Sequence, residues 1–270
     1  MANFLISAFA DEAGRELSVQ IAALKRNGLS MIELRNVNGV SLLTLDNEEI
    51  SAIYDALKGE GISVSSYGSP IGKYSITKDF EPHLKDFRRA LEVCKLLHTN
   101  KMRMFSFQDD KEVLLANRDE VMRRLSVMLD EAKAAGILLC HENEKKIYGE
   151  LPEQVADIFA TLPELRGIFD ASNCLEAGGD PKVGFAATYP NLEYLHIKDH
   201  EADASGRVVP AGEGAGCLLE ILRKVNAEKD GDFILTVEPH LNGWIPERFA
   251  DQNAAFDGAV NALKGLLAQL

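Results

Sequence analysis

Eight short apolar runs, each followed by a longer stretch of helical period, pace this chain from end to end. The runs are FLISAFA from Phe4, MIELR from Met31, ISVSSY from Ile62, MRMFSF from Met102, ILLCHE from Ile137, GIFD from Gly167, EYLHIKD from Glu193 and FILTVE from Phe233. They are brief and rich in β-branched and aromatic residues. Several lack the strict alternation of a half-exposed strand, as strands buried on both faces do. Between them, Phe80, Leu84, Phe87, Leu91 and Cys94 recur every three or four residues, as do Val121, Leu125, Met128 and Ala132. Phe249, Phe256, Val260, Leu263 and Leu267 follow a similar rhythm at the C-terminal end. Gly28, Gly61 and Gly136 fall just after helical stretches, where a left-handed C-cap belongs. The least clear helix lies between Asp180 and Pro190.

About eight strand-helix units in 270 residues predict a (β/α)₈ barrel, a fold that uses about 250 residues as one domain. A doubly wound open sheet is the alternative. It would carry a glycine-rich turn after the first strand, and ADEAGREL does not match one. No linker divides the chain, so residues 1–270 read as a single domain with its chemistry at the C-terminal strand ends. A net charge of -13 and a pI near 5.0 argue against nucleic acid, whose phosphates need lysine and arginine. That acidity reads as solubility, and an anionic substrate would need a local basic pocket. Cys94, Cys140, Cys174 and Cys217 form no CxxC pair and sit among apolar or small residues, as reduced core thiols do. The start, MANFLISAFADE, lacks the features of a signal peptide, and no apolar run approaches the roughly 18 residues of a membrane span. The expected compartment is the cytoplasm, with no membrane partner.

Four strand tips carry ligand-type side chains. The fifth run ends at Glu142, the sixth at Asp170, the seventh carries His196 and the eighth ends at Glu238. The first two gaps are each close to the roughly 30 residues of one βαβ step. The third is longer because HEADASGRVVPAGEGAG adds a loop. Parity puts Cys140, Glu142 and Glu144 on one face of their strand, Tyr194, His196 and Lys198 on one face, and Thr236, Glu238 and His240 on another. Singly, an acid at a strand end is more often a helix N-cap or a loop salt bridge, and a lone histidine a hydrogen-bonded core residue. Together on successive strands of one rim, three carboxylates and an imidazole make a hard, oxygen-rich site. It suits one divalent metal, Mn²⁺, Mg²⁺ or Co²⁺, with Zn²⁺ as a further candidate. Glu142 is preferred to Glu144 because it lies nearer the apolar run.

At these residues the chain resembles the xylose-isomerase-like barrel superfamily of sugar isomerases and epimerases. The resemblance covers nearly the whole chain and is carried by HEN at 141–143, FDASN at 169–173, LHIKD at 195–199, GEG at 212–214 and VEPH at 237–240. It implies Glu142, Asp170, His196 and Glu238 as the metal ligands, a small sugar or sugar derivative as substrate and a homo-oligomer, dimer or tetramer. Ketose 3-epimerases of this kind usually have histidine three residues after the aspartate, in contact with substrate. This chain has Asn173 there, which points to a substrate other than a simple free ketose.

The chemistry expected of such a site is proton transfer beside a carbonyl, with the metal stabilising an enediolate. Glu142 and Glu238 would lie on opposite faces of the substrate carbon, one removing the proton and the other returning it. Return to the same carbon is epimerisation, return to its neighbour is isomerisation, and loss of a β-leaving group makes a lyase or dehydratase. Arg35, Lys73, Lys198, His240 and Asn173 are the candidate substrate contacts. Glu33 shares parity with Arg35 on the second strand, and Arg103 has parity opposite to Met102 and Met104; a solvated surface charge is the plainer reading of both. His83 and His98 read as surface residues of a helix. The AGEGAG turn could offer amides to a phosphate, though a plain tight turn fits it better. Trp244 and Phe107 are candidate pocket walls or ordinary packing. Rival classes are a lyase or epimerase of keto-glycosides or cyclitols, an apurinic endonuclease-type phosphodiesterase with three zinc ions, and a non-catalytic binding barrel. The endonuclease would need more histidines than six and a basic groove.

Overall fold

The eight runs become eight parallel strands in the computed structural model, which describes residues 1–202 and 206–270. They are β1 (Ala2–Ala8), β2 (Met31–Leu34), β3 (Ser63–Tyr67), β4 (Lys101–Met104), β5 (Leu138–Glu142), β6 (Arg166–Asp170), β7 (Leu192–Ile197) and β8 (Gly231–Val237). Their order around the sheet is β1-β8-β7-β6-β5-β4-β3-β2. The sheet curls until β1 and β2 lie side by side, which makes a nearly closed barrel with helices between the strands. Residues 203–205 of the long loop after β7 lie outside the described residues.

Alternation along the strands explains why both faces are apolar. Leu139, Phe169, Leu195 and Leu235 join the large core between strands and helices. Their neighbours Cys140, Ile168, Tyr194 and Ile234 form a separate small cluster inside the barrel. One step further along, the interior positions change from apolar to polar: Glu142, Asp170, His196 and Thr236. Register sets three of them at one level, with His196 beside Asp170 on one side and Thr236 on the other, while Glu142 pairs with Ile168. Burying each large apolar side chain contributes roughly 1.5–3 kcal/mol, so the apolar layers can carry a polar layer above them.

The strand ends depart from the sequence reading in ways that shape the rim. The fourth run is extended only to Met104, because Phe105 and Gln108 leave the barrel to bond the loop after β3 at Ile71 O and Tyr74 O. That loop passes so close that a Cβ on Gly72 (φ 91°) would sit 1.9 Å from Phe105 O. The seventh run stops at Ile197, and Asp199–His200 turns into a small antiparallel ladder with Val208–Val209. Gly28, Gly61 and Gly136 all adopt the left-handed conformation expected of them. The helix between Asp180 and Pro190 is Pro181–Thr188, capped by the Asp180 side chain.

His83 corrects one expectation. His98 is exposed and stacks on Tyr54, ring centroids 4.4 Å apart. His83, on the helix Phe80–Leu96, is buried. The loop after β3 folds over it, so that its Nε2 accepts from Gly72 N at 3.0 Å and its ring stacks on Tyr74. The four cysteines are unpaired, and no helix of the described residues is long and apolar enough to cross a membrane.

Candidate metal centre

Four side chains converge where the polar layer meets the barrel mouth. One ligand atom each from Glu142, Asp170, His196 and Glu238 can be chosen so that all lie within 4.8 Å of one another, and all four residues are buried. Glu142 and Asp170 close β5 and β6, His196 is the fifth residue of β7, and Glu238 follows β8, its N–H still bonded to Ile197 O. Glu144 stands apart, half-buried and 3.0 Å from Lys73 Nζ.

The acids of this cluster differ in their partners. Glu142 Oε1 is 2.9 Å from His196 Nδ1, and Oε2 is 3.3 Å from an Arg103 guanidinium nitrogen. Burial pushes the Glu142 carboxyl up, but His196 and Arg103 outweigh it and hold the group at about 2. Glu238 accepts from Arg35 (3.1 Å) and His240 (3.0 Å) at Oε1, and from Lys198 (3.3 Å) at Oε2. Burial works against its ionisation, yet Lys198, His240 and Arg35 keep it well below the usual carboxylate range. Asp170 differs. Its Oδ1 caps the short helix Ala171–Glu176 through Asn173 N at 2.8 Å, the ordinary role of an acid at a strand end. Its Oδ2 is buried with no hydrogen-bond donor among the described residues, although Lys198 Nζ lies 3.3 Å away. Burial raises this carboxyl to about 7; Lys198 pulls it down, while Glu238 and Glu142 push it up.

A buried carboxylate oxygen with a nearby ammonium but no aligned hydrogen bond is under-satisfied. Here it points into a ring of two further carboxylates and an imidazole nitrogen. A hard divalent cation matches that donor set, so the residues present fit the metal that the strand-tip pattern predicts. Burial lowers the His196 imidazole, but Glu142 and Glu33 raise it to about 10.

The expected substrate contacts divide. Lys198 and Asn173 are buried inside the ring: Lys198 Nζ donates to Asn173 Oδ1 at 2.9 Å, and Asn173 Nδ2 donates to Glu142 Oε1 at 3.2 Å and Asn143 O at 3.0 Å. Arg35 and His240 stand at the mouth. They share a cleft of about 380 Å³ with Glu12, Asn242 and Trp244. Glu12, Glu238 and His240 form a second acidic group, already filled by the Arg35 guanidinium, 2.8 Å from Glu12 and 3.1 Å from Glu238. Lys73 lies over the Phe105 ring at 4.4 Å and pairs with Glu144, outside the ring of ligand-type atoms. Phe107 packs in the core against Phe80 and His83. The AGEGAG turn has its amides filled. Gly212, Gly214 and Gly216 donate to the buried Asp199 carboxylate at 2.8, 3.1 and 2.9 Å.

Two charged residues prove more central than the sequence reading made them. Glu33 binds His196 Nε2 from across the barrel at 3.2 Å. Arg103 reaches Glu142 while packing against the rings of Phe9 and Phe105. Phe9 also takes Arg35 over its face at 4.3 Å and meets the His196 ring edge-on at 5.2 Å. A signal was present: each charge sits between two apolar residues of a barrel strand, Ile32 and Leu34 or Met102 and Met104. Such a side chain points inward and must find a partner there.

The sequence over residues 21–259 matches the family described as the xylose isomerase-like TIM barrel, and the chain belongs to that family. No curated protein matches the chain in sequence. Among solved structures, it is similar to the probable 3-DHS dehydratase AsbF of Bacillus anthracis (TM-score 0.75, 17% identity, 98% of this chain and 99% of that one). It is also similar to a xylose isomerase-like TIM barrel protein from Mycobacterium smegmatis in complex with magnesium (0.72, 17%, 98% and 96%). A third is D-psicose 3-epimerase from Clostridium cellulolyticum H10 (0.68, 12%, 98% and 98%). At these identities the likeness is one of fold.

Proposed function

We propose that this chain is a divalent-metal-dependent isomerase or epimerase of a small sugar or sugar derivative. The observation that carries the reading is the buried ring of Glu142, Asp170, His196 and Glu238, in which Asp170 Oδ2 has Lys198 Nζ at 3.3 Å but no aligned hydrogen bond. These four would hold Mn²⁺, Mg²⁺ or Co²⁺, or alternatively Zn²⁺. When bound, the metal supplies Lewis acidity, stabilising the negative charge that builds on a substrate carbonyl as the neighbouring C–H proton leaves. Magnesium in one structural relative supports the choice of a hard cation, and the epimerase among the relatives supports the reaction class.

Within this reading Glu238 and Glu142 move the proton. Both carboxyls are ionised at neutral pH beside adjacent cations, which is the protonation state a base starts from. Glu238 faces the mouth through Arg35 and His240, which would orient substrate hydroxyls in the cleft. Lys198 and Asn173 tie the carboxylates together and would keep them apart across the substrate carbon. A second reading is a lyase or dehydratase acting on a keto-glycoside or cyclitol. Asn173 favours it, and a dehydratase stands among the structural relatives.

The test is metal content by mass spectrometry on protein purified without chelator, beside a His196→Ala variant, followed by deuterium exchange from D₂O into candidate ketoses. The expected result is about one equivalent of divalent metal, lost in the variant, with exchange at the carbon beside the carbonyl. Close to three zinc ions would favour an endonuclease-type centre instead. No metal after Mn²⁺ is added would end the proposal.

A further inference from the structure

One buried acid of the barrel interior is left unused by the proposed ligand set. Glu33, on β2, is 1% exposed. Its carboxylate takes three donors from two other strands: the Tyr194 hydroxyl at Oε1 (3.0 Å), and Thr236 Oγ1 (2.8 Å) and His196 Nε2 (3.2 Å) at Oε2. Ser66 Oγ lies 3.1 Å from the Tyr194 hydroxyl and can donate to it, leaving the tyrosine proton for Glu33. On the other side of the imidazole, Nδ1 faces the ligand cluster, 2.9 Å from Glu142 Oε1 and 4.0 Å from Glu238 Oε2.

Resting on the metal reading above, we infer that Glu33 is a positioning residue. It accepts the Nε2 proton of His196 and so presents the bare Nδ1 to the cation. A neutral imidazole has one N–H and one lone pair, and the partner of one nitrogen decides which nitrogen is bare. Tyr194 and Thr236 hold the carboxylate in turn, which fixes the plane of the ring as well as its tautomer. Glu33 meets the ring on the nitrogen remote from the ligand cluster, so it acts on the metal only through His196. A carboxylate behind a ligating histidine also makes the ligating nitrogen a stronger donor.

The test is calorimetric titration of Mn²⁺ into metal-stripped wild type, Glu33→Gln and Thr236→Val, with ¹H–¹⁵N spectra of the histidine rings in the Zn²⁺-loaded proteins. Glu33→Gln is expected to weaken Mn²⁺ binding by roughly 10- to 100-fold and to move or lose the slowly exchanging His196 Nε2–H signal. Thr236→Val should act the same way by a smaller factor. A residue that only supports the fold would lower Tm while leaving affinity and ring signal as they were, and that outcome overturns the inference. If Glu33→Gln does not fold, unchanged Mn²⁺ affinity in Thr236→Val overturns it instead. A wild type that takes up no metal would sink the metal reading itself and this inference with it. Wild-type binding matched by an unaffected Glu33→Gln would sink the inference alone.

Discussion

Arg103 and Glu142, on adjacent strands, form an ion pair of 3.3 Å in which both side chains are at least nine-tenths buried. The guanidinium also donates to Gly68 O at 3.1 Å and Ser69 O at 3.4 Å, so its geometry is fixed from three sides. Removing one partner of a buried pair strands the other charge, which costs about 3–5 kcal/mol. Arg103→Met should therefore lower the stability of metal-free protein by about 3 kcal/mol. Saturating Mn²⁺ should recover part of that loss, because a cation in the ring would neutralise Glu142 in place of Arg103. Urea unfolding with and without Mn²⁺ measures both effects. A variant as stable as wild type without metal would contradict the pairing.

Glu238 is the acid nearest the mouth of the site, and its amide isostere cannot take a proton. Glu238→Gln should retain bound metal while losing deuterium exchange into substrate by at least about 100-fold, the usual contribution of a positioned base. Mass spectrometry of the metal and NMR of the exchanged sugar separate the two effects. Undiminished exchange would remove Glu238 from the proton-transfer scheme.

Asp199 organises the loop after β7 by accepting from the backbone N–H groups of His200, Gly212, Gly214 and Gly216. A Cβ on Gly214 would lie 2.4 Å from Asp199 Oδ1, so the turn has no room for a side chain there. Asp199→Asn turns an acceptor into a donor against those amides and should cost about 2 kcal/mol. Because the amides are filled, millimolar inorganic phosphate should leave the wild-type Tm unchanged. A phosphate-dependent rise in Tm would show that the turn can release them.

His83 makes stability depend on pH away from the buried carboxylate cluster. Burial holds its imidazole down at about 4, with Arg124 assisting and Asp86 opposing. The unfolded chain, titrating near 6.5, takes up the proton first. The contribution of His83 is therefore complete above about pH 6.5 and is lost as the pH falls toward 4, about 2 kcal/mol between pH 7 and pH 5. Urea unfolding at both pH values should show that extra loss in wild type and not in His83→Gln, whose amide oxygen can still accept from Gly72 N. Equal losses in the two proteins would mean that His83 is not buried neutral.

Much of this was legible in the sequence because its causes are local. Period-two alternation says which side of a strand Glu142, His196 or Glu238 takes, and the βαβ step says that successive strand ends share a rim. Gly136 announces a left-handed cap by its own lack of a Cβ. The apolar run before each acid distinguishes Glu142 from Glu144, and the observed cluster contains the first and leaves the second on Lys73.

Other features depend on pairs that only the closed barrel brings together. Glu33 and His196 belong to strands far apart in the chain and meet across the interior, where a missing solvent shell obliges each polar atom to find a protein partner. The amides of the AGEGAG turn look available in the sequence, and folding commits them to Asp199. His83 looks exposed on its helix until the loop after β3 closes over it. By itself the sequence determined the strands, their tips and the kinds of side chain there, since backbone periodicity and residue chemistry suffice for those. The tertiary structure alone decided which charges neutralise one another, because burial and electrostatic pairing depend on distances through space.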